Sequence, residues 1–244
     1  MTTMLQRGRL RARQAMRQDD LAASLALRAM CFHGRGAGET DALDADCVHM
    51  LVEDSATGAL VCSFRMLLLQ GADLGRSYSA QFYDLSALSA FDGAMLEMGR
   101  FCIHPGAAGD PDVLRLAWGA MTAFVDVSGV KMLFGCSSFP GTRADIYLDS
   151  FALLKARHLA PERWAPQIKA PDVHRYGDES PCDWDAKRAM RMMPPLLRTY
   201  LLMGGWVSDH AVVDAQMETL HVFTGVEIRA IPEARKRLLR AVAR

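Results

Sequence analysis

The stretch between residues 95 and 136 constrains the fold most. Residues 95–103 (Met-Leu-Glu-Met-Gly-Arg-Phe-Cys-Ile) read as a strand that ends at His104-Pro105-Gly106. Asp110 or Asp112 then caps an amphipathic helix over 113–127, with Leu114, Trp118, Met121 and Val125 on its apolar stripe, and Gly129 stops it. Residues 130–136 form an almost wholly apolar strand, as expected of a sheet covered on both faces. Strand, helix, strand is the parallel crossover unit, so the chain is expected to be α/β.

The length of 244 residues suits one large domain or two small ones. Half the residues are apolar and 23% are charged, which excludes a disordered chain. Lys+Arg and Asp+Glu are both 28, which argues against a strongly basic nucleic-acid binder. Six cysteines in a chain this long make no disulfide scaffold. No apolar run approaches the ~20 residues that span a bilayer; the best, 196–203, is interrupted by Arg198 and ends at Gly204-Gly205. Residues 1–17 are too arginine-rich for a signal peptide and lack an apolar centre, so a reducing cytoplasm is the expected compartment.

The zero net charge hides an uneven distribution. Residues 1–17 hold five arginines and no acid, and residues 229–244 hold six basic residues and one acid. Basic ends attract anionic partners, such as an acidic carrier protein or an anionic leaflet. On charge alone, solvated terminal helices are the plainer explanation.

Elsewhere the pattern predicts a helix over 19–32 capped by Asp19 or Asp20, a Gly- and acid-rich loop over 33–46, and strands over 47–53 and 59–68 joined by a turn at 54–58. Residues 70–92 are irregular with a helical patch at 84–90. A helix is expected over 144–157, another over 195–203, strands over 206–213 and 219–228, and a basic helix over 232–244. Six of the ten prolines lie between 161 and 195 and exclude regular structure over much of that stretch. The expected organisation is a basic segment at 1–18, one domain over 19–228 with a Pro-rich excursion at 158–195, and a basic helix at 229–244.

Several motifs carry a more specific resemblance. They are Leu27-Arg28-Ala-Met-Cys-Phe32, Asp41-Ala-Leu-Asp44, Phe64-Arg65, and Leu96-Glu97-Met-Gly-Arg100-Phe101-Cys-Ile-His104-Pro. To these are added Cys136-Ser137-Ser138-Phe-Pro-Gly-Thr142 and Met193-Pro-Pro-Leu-Leu-Arg198-Thr-Tyr200-Leu. In order and spacing they resemble the GCN5-related N-acyltransferase (GNAT) superfamily, in its branch near the acyl-homoserine-lactone synthases. They are more similar still to the L-ornithine Nα-acyltransferases of ornithine-lipid synthesis, once labelled haemolysin-like. The lactone synthases carry a tryptophan shortly after the phenylalanine; here Phe32 is followed by His33-Gly34-Arg35, which favours the lipid branch. The resemblance implies a mixed central sheet flanked by helices. It also implies transfer of a 3-hydroxyacyl group from acyl carrier protein to the α-amine of ornithine, giving lyso-ornithine lipid. The same chemistry on another amine such as glutamine, an autoinducer-type product, and a non-catalytic module that binds carrier protein or lipid are the alternatives.

The expected site follows from the chemistry. An α-ammonium must lose a proton before it attacks a thioester, and Glu97, in an apolar strand, is the candidate base. Its competing role is an ion pair with Arg100 or Arg65. The developing oxyanion needs donors, and the resemblance implies that the strand edge at 99–101, with Phe101, supplies them. The resemblance places Arg28, Phe32, Asp41, Asp44 and Arg65 on the acceptor side. A guanidinium suits the carboxylate of an amino acid, and Asp41 or Asp44 suits a cationic side chain. Each also has a plainer role: turn or cap for the aspartates, core packing for Phe32, ion pairing for Arg28 and Arg65.

The turn from His104 to Pro111 has glycines but no basic lead residue, and it adds Asp110 and Asp112. That is poor for the pyrophosphate of coenzyme A and suits a carrier-protein thioester, whose phosphopantetheine arm enters as the donor; no other cofactor is expected. Coenzyme A stays an alternative, because helix N-termini bind phosphate without a motif. Ser137 and Ser138 are candidates to hydrogen-bond the pantetheine or to cap the following helix. Gly-x-Ser-x-Gly is absent, which favours direct transfer over an acyl-enzyme. Three Cys-x-His pairs (Cys31/His33, Cys47/His49, Cys102/His104) lack standard zinc spacing, and no metal is expected. Residues 66–69 and 190–193, with Leu133, Phe134, Phe139 and Phe151, are candidates for an acyl channel, with core packing favoured for most. The expected partners are carrier protein and a small amino acid, with a peripheral contact at the anionic inner membrane.

Overall fold

The computed structural model describes residues 5–32, 41–177 and 183–242. Residues 33–40 of the loop expected over 33–46, with His33, lie outside them. The elements, in order, are β1 (Leu5–Arg7), β2 (Leu10–Gln14), α1 (Gln18–Cys31), β3 (Val48–Asp54), β4 (Leu60–Leu69), β5 (Tyr83–Asp84), β6 (Ala94–Ile103) and α2 (Pro111–Ser128). There follow β7 (Val130–Pro140), α3 (Leu148–Arg157), β8 (Gln167–Ile168), β9 (Val173–Arg175), α4 (Ala186–Met192), α5 (Pro195–Leu202), β10 (Trp206–Val207), β11 (His210–Asp214), β12 (Thr219–Glu227) and α6 (Glu233–Val242). They form two compact units. One comprises Met1–Leu68, Leu96–Val130 and Pro232–Arg244; the other comprises Leu69–Met95 and Lys131–Ile231.

In the first unit the strands lie in the order β1-β2-β3-β4-β6. The β1–β2 hairpin turns at Gly8, whose φ of +56° suits glycine. It then pairs antiparallel with β3, Ala12 opposite Val52. Leu10 and Ala12 are buried and alternate with arginines, the period of a half-buried strand. The N-terminal segment is therefore a sheet hairpin, not the solvated helix that its charge suggests. Its arginines meet carboxylates of the same unit: Arg7 on Asp112, Arg9 on Asp54 and Asp110, Arg11 on Glu53, Arg13 on Asp20 and Glu53, and Arg17 on Asp20.

α1 begins one residue earlier than expected. Asp20 lies inside it and accepts from the N–H groups of Met16 and Arg17, so it serves the helix start from within the first turn. α2 follows the sequence closely: Asp110 accepts from Asp112 N at 2.9 Å, Pro111 opens the helix, and Gly129 closes it in the left-handed region at φ +62°. α6 packs on α2 and is tied by Arg240 to Asp126.

In the second unit β7, β12, β11 and β9 form successive antiparallel neighbours, with β10 also on β12. A short β5–β8 pair stands apart. Phe139, Phe151, Leu154, Leu197 and Val222 belong to one buried cluster, in which Phe151 stacks on Tyr176 at 5.1 Å. β7 runs four residues beyond the expected end, through the Ser137-Ser138 pair to Pro140. The Pro-rich stretch supplies short pieces, β8, β9 and the unexpected α4, whose Ala189 joins this cluster.

Candidate active site

β6 organises the site. Its mid-strand residue Arg100 has φ +53°, the left-handed region that costs a non-glycine residue about 1–2 kcal/mol. His104 N donates to Val61 O at 2.8 Å, and a Cβ built on Gly99 would lie 3.7 Å from Arg65 Nε, so β6 runs antiparallel to β4. In a regular strand Gly99 and Arg100 would face opposite sides. Here Gly99 abuts Arg65, while Arg100 Nη2 donates to Asp41 Oδ2 at 3.2 Å, an acid that Arg65 also holds. Two consecutive residues converge on one cluster, the signature of a bulge. Glu97, two residues before Gly99 and so on its face, is 5% exposed.

The cluster itself is dense. Asp44 receives Arg28 through two 2.9 Å bonds, Arg65 Nη1 at 2.6 Å and the Asp41 N–H at 2.9 Å. Asp41 receives Arg65 Nη1 at 2.6 Å and the Leu43 N–H at 3.0 Å. Burial pushes the Asp44 carboxyl up, but Arg28, the Asp41 amide and Arg65 outweigh it and hold Asp44 well below the ordinary carboxylate range. Asp41 is shifted in the same direction against its own burial, chiefly by Arg65. Burial also lowers Arg65, yet Asp41 and Asp44 leave its pKa raised.

Two participants, Cys47 and His49, stand out in the sequence only as a Cys-x-His pair without zinc spacing, not as members of this site. His49, opposite Arg65 in the β3–β4 ladder, places Nε2 3.0 Å from Asp44 O. Cys47 is half-buried beside the cluster; burial pushes its thiol up to about 12, helped by Glu97, Asp44 and Asp41 and opposed by Arg65. The place of His49 opposite Arg65 needs the β3–β4 pairing to be read, and Cys47 follows from lying just before β3.

The structure thus brings together Arg28, Asp41, Asp44, Arg65 and Arg100, with Glu97 near enough to act electrostatically on Cys47 beside them. Arg28 and Asp44 are both buried and occupied with each other. Asp41 and Arg100 are the accessible members, with side chains 32% and 18% exposed. Phe32 follows α1, half-buried, and Phe101 stacks on Phe64 at 5.5 Å. His104 Nδ1 accepts from Gly106 N at 3.1 Å and shapes the turn before α2. Ser137 and Ser138 belong to the second unit. Ser137 is buried and accepts from Thr224 Oγ1 at 3.0 Å, Ser138 is exposed, and both sit mid-strand, so neither caps a helix. Phe134, Phe139 and Phe151 are fully buried core residues, whereas Met190 is exposed. Among the described residues no group of three or more His, Cys, Asp or Glu is placed to hold a metal ion.

Comparison with known proteins gives this geometry its context. A family model described as "Acetyltransferase (GNAT) domain" matches residues 28–118, the span that holds the whole cluster and β6. The chain is 32% identical over 201 residues to an L-ornithine N(alpha)-acyltransferase of Rhodobacter capsulatus, covering 80% of this chain and 76% of that protein. The chain belongs to the L-ornithine N(alpha)-acyltransferase family. A second member, from Rhizobium meliloti, is 30% identical over 81% of this chain and 69% of its own length. The family fold is also met in FeeM, an N-acyl amino acid synthase from uncultured soil microbes, with a TM-score of 0.54 at 9% identity over 91% of this chain and 94% of that one. The loading GNATL domain of CurA from Lyngbya majuscula aligns with a TM-score of 0.52 at 14% identity, over 91% and 99% of the two chains. The resemblance read from the motifs therefore holds at the level of family and fold, and the chain is an acyltransferase. No helix among the described residues is long and apolar enough to cross a membrane.

Proposed function

We propose that this acyltransferase moves a 3-hydroxyacyl group from the phosphopantetheine thioester of acyl carrier protein to the α-amine of ornithine, giving lyso-ornithine lipid. The observation that carries the reading is the juxtaposition of Asp41 and Arg100, one anion and one cation, as the accessible members of a buried ion cluster in a chain whose relatives are L-ornithine N(alpha)-acyltransferases. Ornithine presents a carboxylate and a side-chain ammonium, and the pair offers a complement to each. Arg28, Arg65 and Asp44 hold that pair in place from behind, so they position the acceptor without needing to touch it. Glu97 takes the proton from the α-ammonium. The freed amine attacks the thioester carbonyl, the tetrahedral oxyanion leans on β6 backbone donors at the bulge, and the C–S bond breaks as the thiol leaves with a proton.

The helix start favours a carrier-bound donor. Asp110 and Asp112 place two carboxylates at the N-terminus of α2, where Arg7, Arg9 and Arg115 answer them. A doubly charged pyrophosphate is poorly served there, and a single phosphodiester is less penalised. The test is thiol release from 3-hydroxyacyl carrier protein and from the matching coenzyme A thioester, against a panel of amino acids, with product mass recorded. N-acylornithine formed only from the carrier thioester supports the reading. An N-acylglutamine product replaces the acceptor, coenzyme A activity replaces the donor, and no turnover with any pair sinks it.

A further inference from the structure

The charged surfaces of the molecule are not equivalent. The N-terminal arginines are answered by internal carboxylates, as described above. On α6, Lys236 pairs with Glu233 and Arg240 with Asp126, while Arg235 and Arg237 have no carboxylate within 4 Å among the described residues and Leu238 is 61% exposed. The segment from α4 to α5 carries more of both kinds of side chain and no acid to offset them. Between residues 186 and 203 it carries Lys187, Arg188, Arg191 and Arg198 and no acid. Arg188 lies 3.4 Å from Asp149. Lys187, Arg191 and Arg198 have no carboxylate within 4 Å among the described residues. Asp185, the acid before α4, accepts from the Lys187 and Arg188 N–H groups as the helix cap.

The apolar residues of this segment divide sharply. Ala189, Met193, Leu197 and Tyr200 are buried. Met190 is 38% exposed and Leu202 is 53% exposed. Helical spacing puts Lys187 beside Met190 and Arg191 on α4, and Arg198 beside Leu202 on α5. Each short helix thus turns a mixed face of cations and large apolar side chains to solvent, and the two are joined directly through Met193-Pro194. Just before α4, the indole of Trp184 is half-buried with the Arg157 guanidinium 5.5 Å over its ring, an amphipathic pair of the kind found at membrane interfaces.

We infer that the α4–α5 segment is a docking surface for an anionic lipid bilayer, with Lys187, Arg191 and Arg198 at the headgroups and Met190 and Leu202 in the boundary below them. Charge complementarity selects the occupant: unanswered cations sit in a chain with no net charge, and exposed apolar side chains alternate with them, which is how peripheral helices hold a bilayer surface. The inference deepens the proposed function by giving the amphipathic product a place to be released, and its test is separable from turnover.

The full-length protein is sedimented with vesicles of phosphatidylcholine alone, or of phosphatidylcholine with phosphatidylglycerol, at low and high salt. Binding to the anionic vesicles that weakens with salt is expected. K187E/R191E should weaken it at least about tenfold, since each cation contributes roughly fivefold near an anionic surface. M190S/L202S should weaken it at high salt, where the apolar contribution remains. R235E/R237E on α6 should leave it unchanged, and all three variants should keep wild-type turnover with soluble thioester. Equal binding to neutral vesicles, or loss only with the α6 variant, overturns the assignment. So does a K187E/R191E variant that binds anionic vesicles normally but no longer binds acyl carrier protein, which would make the surface a carrier site. Loss of turnover in every protein, wild type included, with vesicle binding intact would remove the proposed reaction and leave the lipid surface standing.

Discussion

Arg28 and Asp44 meet through two parallel bonds, Nη1 to Oδ1 and Nη2 to Oδ2, each 2.9 Å long, with both side chains at least 96% buried. This pair ties the end of α1 to the 41–44 turn, and Arg65 ties the same turn to β4. Asp41 is left facing outward as a consequence, with its free reach directed at Arg100.

Asp44→Asn should therefore be far more damaging than Asp41→Asn. Removing the Asp44 charge leaves two buried guanidinium groups without their shared partner, at a cost of about 3–5 kcal/mol. Asp41 is a third exposed, so its loss should cost about 1 kcal/mol or less. Urea denaturation of both variants checks this; equal losses would mean that the buried pair is not the anchor. Arg28→Lys should fall between them, because an ammonium cannot reproduce the two-point grip.

Arg100 is held in a backbone conformation that glycine adopts freely. Arg100→Gly should leave the thermal midpoint unchanged or raise it, while Arg100→Ala should lower it. Both should raise the KM for the acceptor about tenfold or more, because both remove the guanidinium. A glycine variant with an unaltered acceptor KM would show that Arg100 serves the bulge and not the substrate.

Buried histidines of the second unit predict an acid sensitivity. Burial lowers His221 from 6.5 to about 4, with Asp214 opposing the shift and His210 adding to it. His210 is also lowered, by its own burial. The unfolded chain binds protons on these groups before the folded chain does. Stability is therefore full above about pH 6.5 and falls as the pH drops towards 4, by on the order of 3 kcal/mol for His221 alone. His221→Asn should flatten the pH dependence of the urea midpoint between pH 7 and 5. An unchanged slope would place the sensitivity elsewhere.

The N-terminal hairpin gives a prediction opposite to that of a docking arm. Arg13 holds Asp20 and Glu53 at 2.8 and 2.6 Å, and β2 supplies the ladder partner of β3. Deleting residues 1–17 should lower the thermal midpoint by several degrees and expose the edge of β3, whatever donor is used. A truncated protein that melts normally but has a raised KM for carrier would restore the docking role.

The same hairpin shows where sequence reading falls short. Leu10 and Ala12 alternate with arginines in the period of a strand, but five arginines in 17 residues make a solvated terminal helix the plainer inference. The acids that answer them lie at 20, 53, 54, 110 and 112, and only the fold brings those together. α2 was legible to within two residues at its start and one at its end because the Asp110 cap and the Gly129 stop are local signals. The bulge at Arg100 was not, since nothing in Gly-Arg-Phe announces a left-handed arginine. Residues Arg28, Asp41, Asp44 and Arg65 were legible as a set through the motif resemblance. Their division into a buried anchor and an accessible pair depends on burial, which pattern does not encode. His49 joins the site only through the β3–β4 register, and Cys47 by lying just before β3.

In the proposed reaction Glu97 removes the proton that keeps the acceptor amine inert. The most direct measurement is single-turnover amide formation by Glu97→Gln, with acceptor KM and the pH dependence of the rate recorded beside wild type. The expected rate is lower by ~10²–10⁴ at neutral pH and partly recovered at high pH, where the free amine is more abundant, with acceptor KM changed by less than about threefold. A variant that turns over at the wild-type rate, or one whose whole defect is a raised acceptor KM, would contradict it and make Glu97 a ligand for the ammonium.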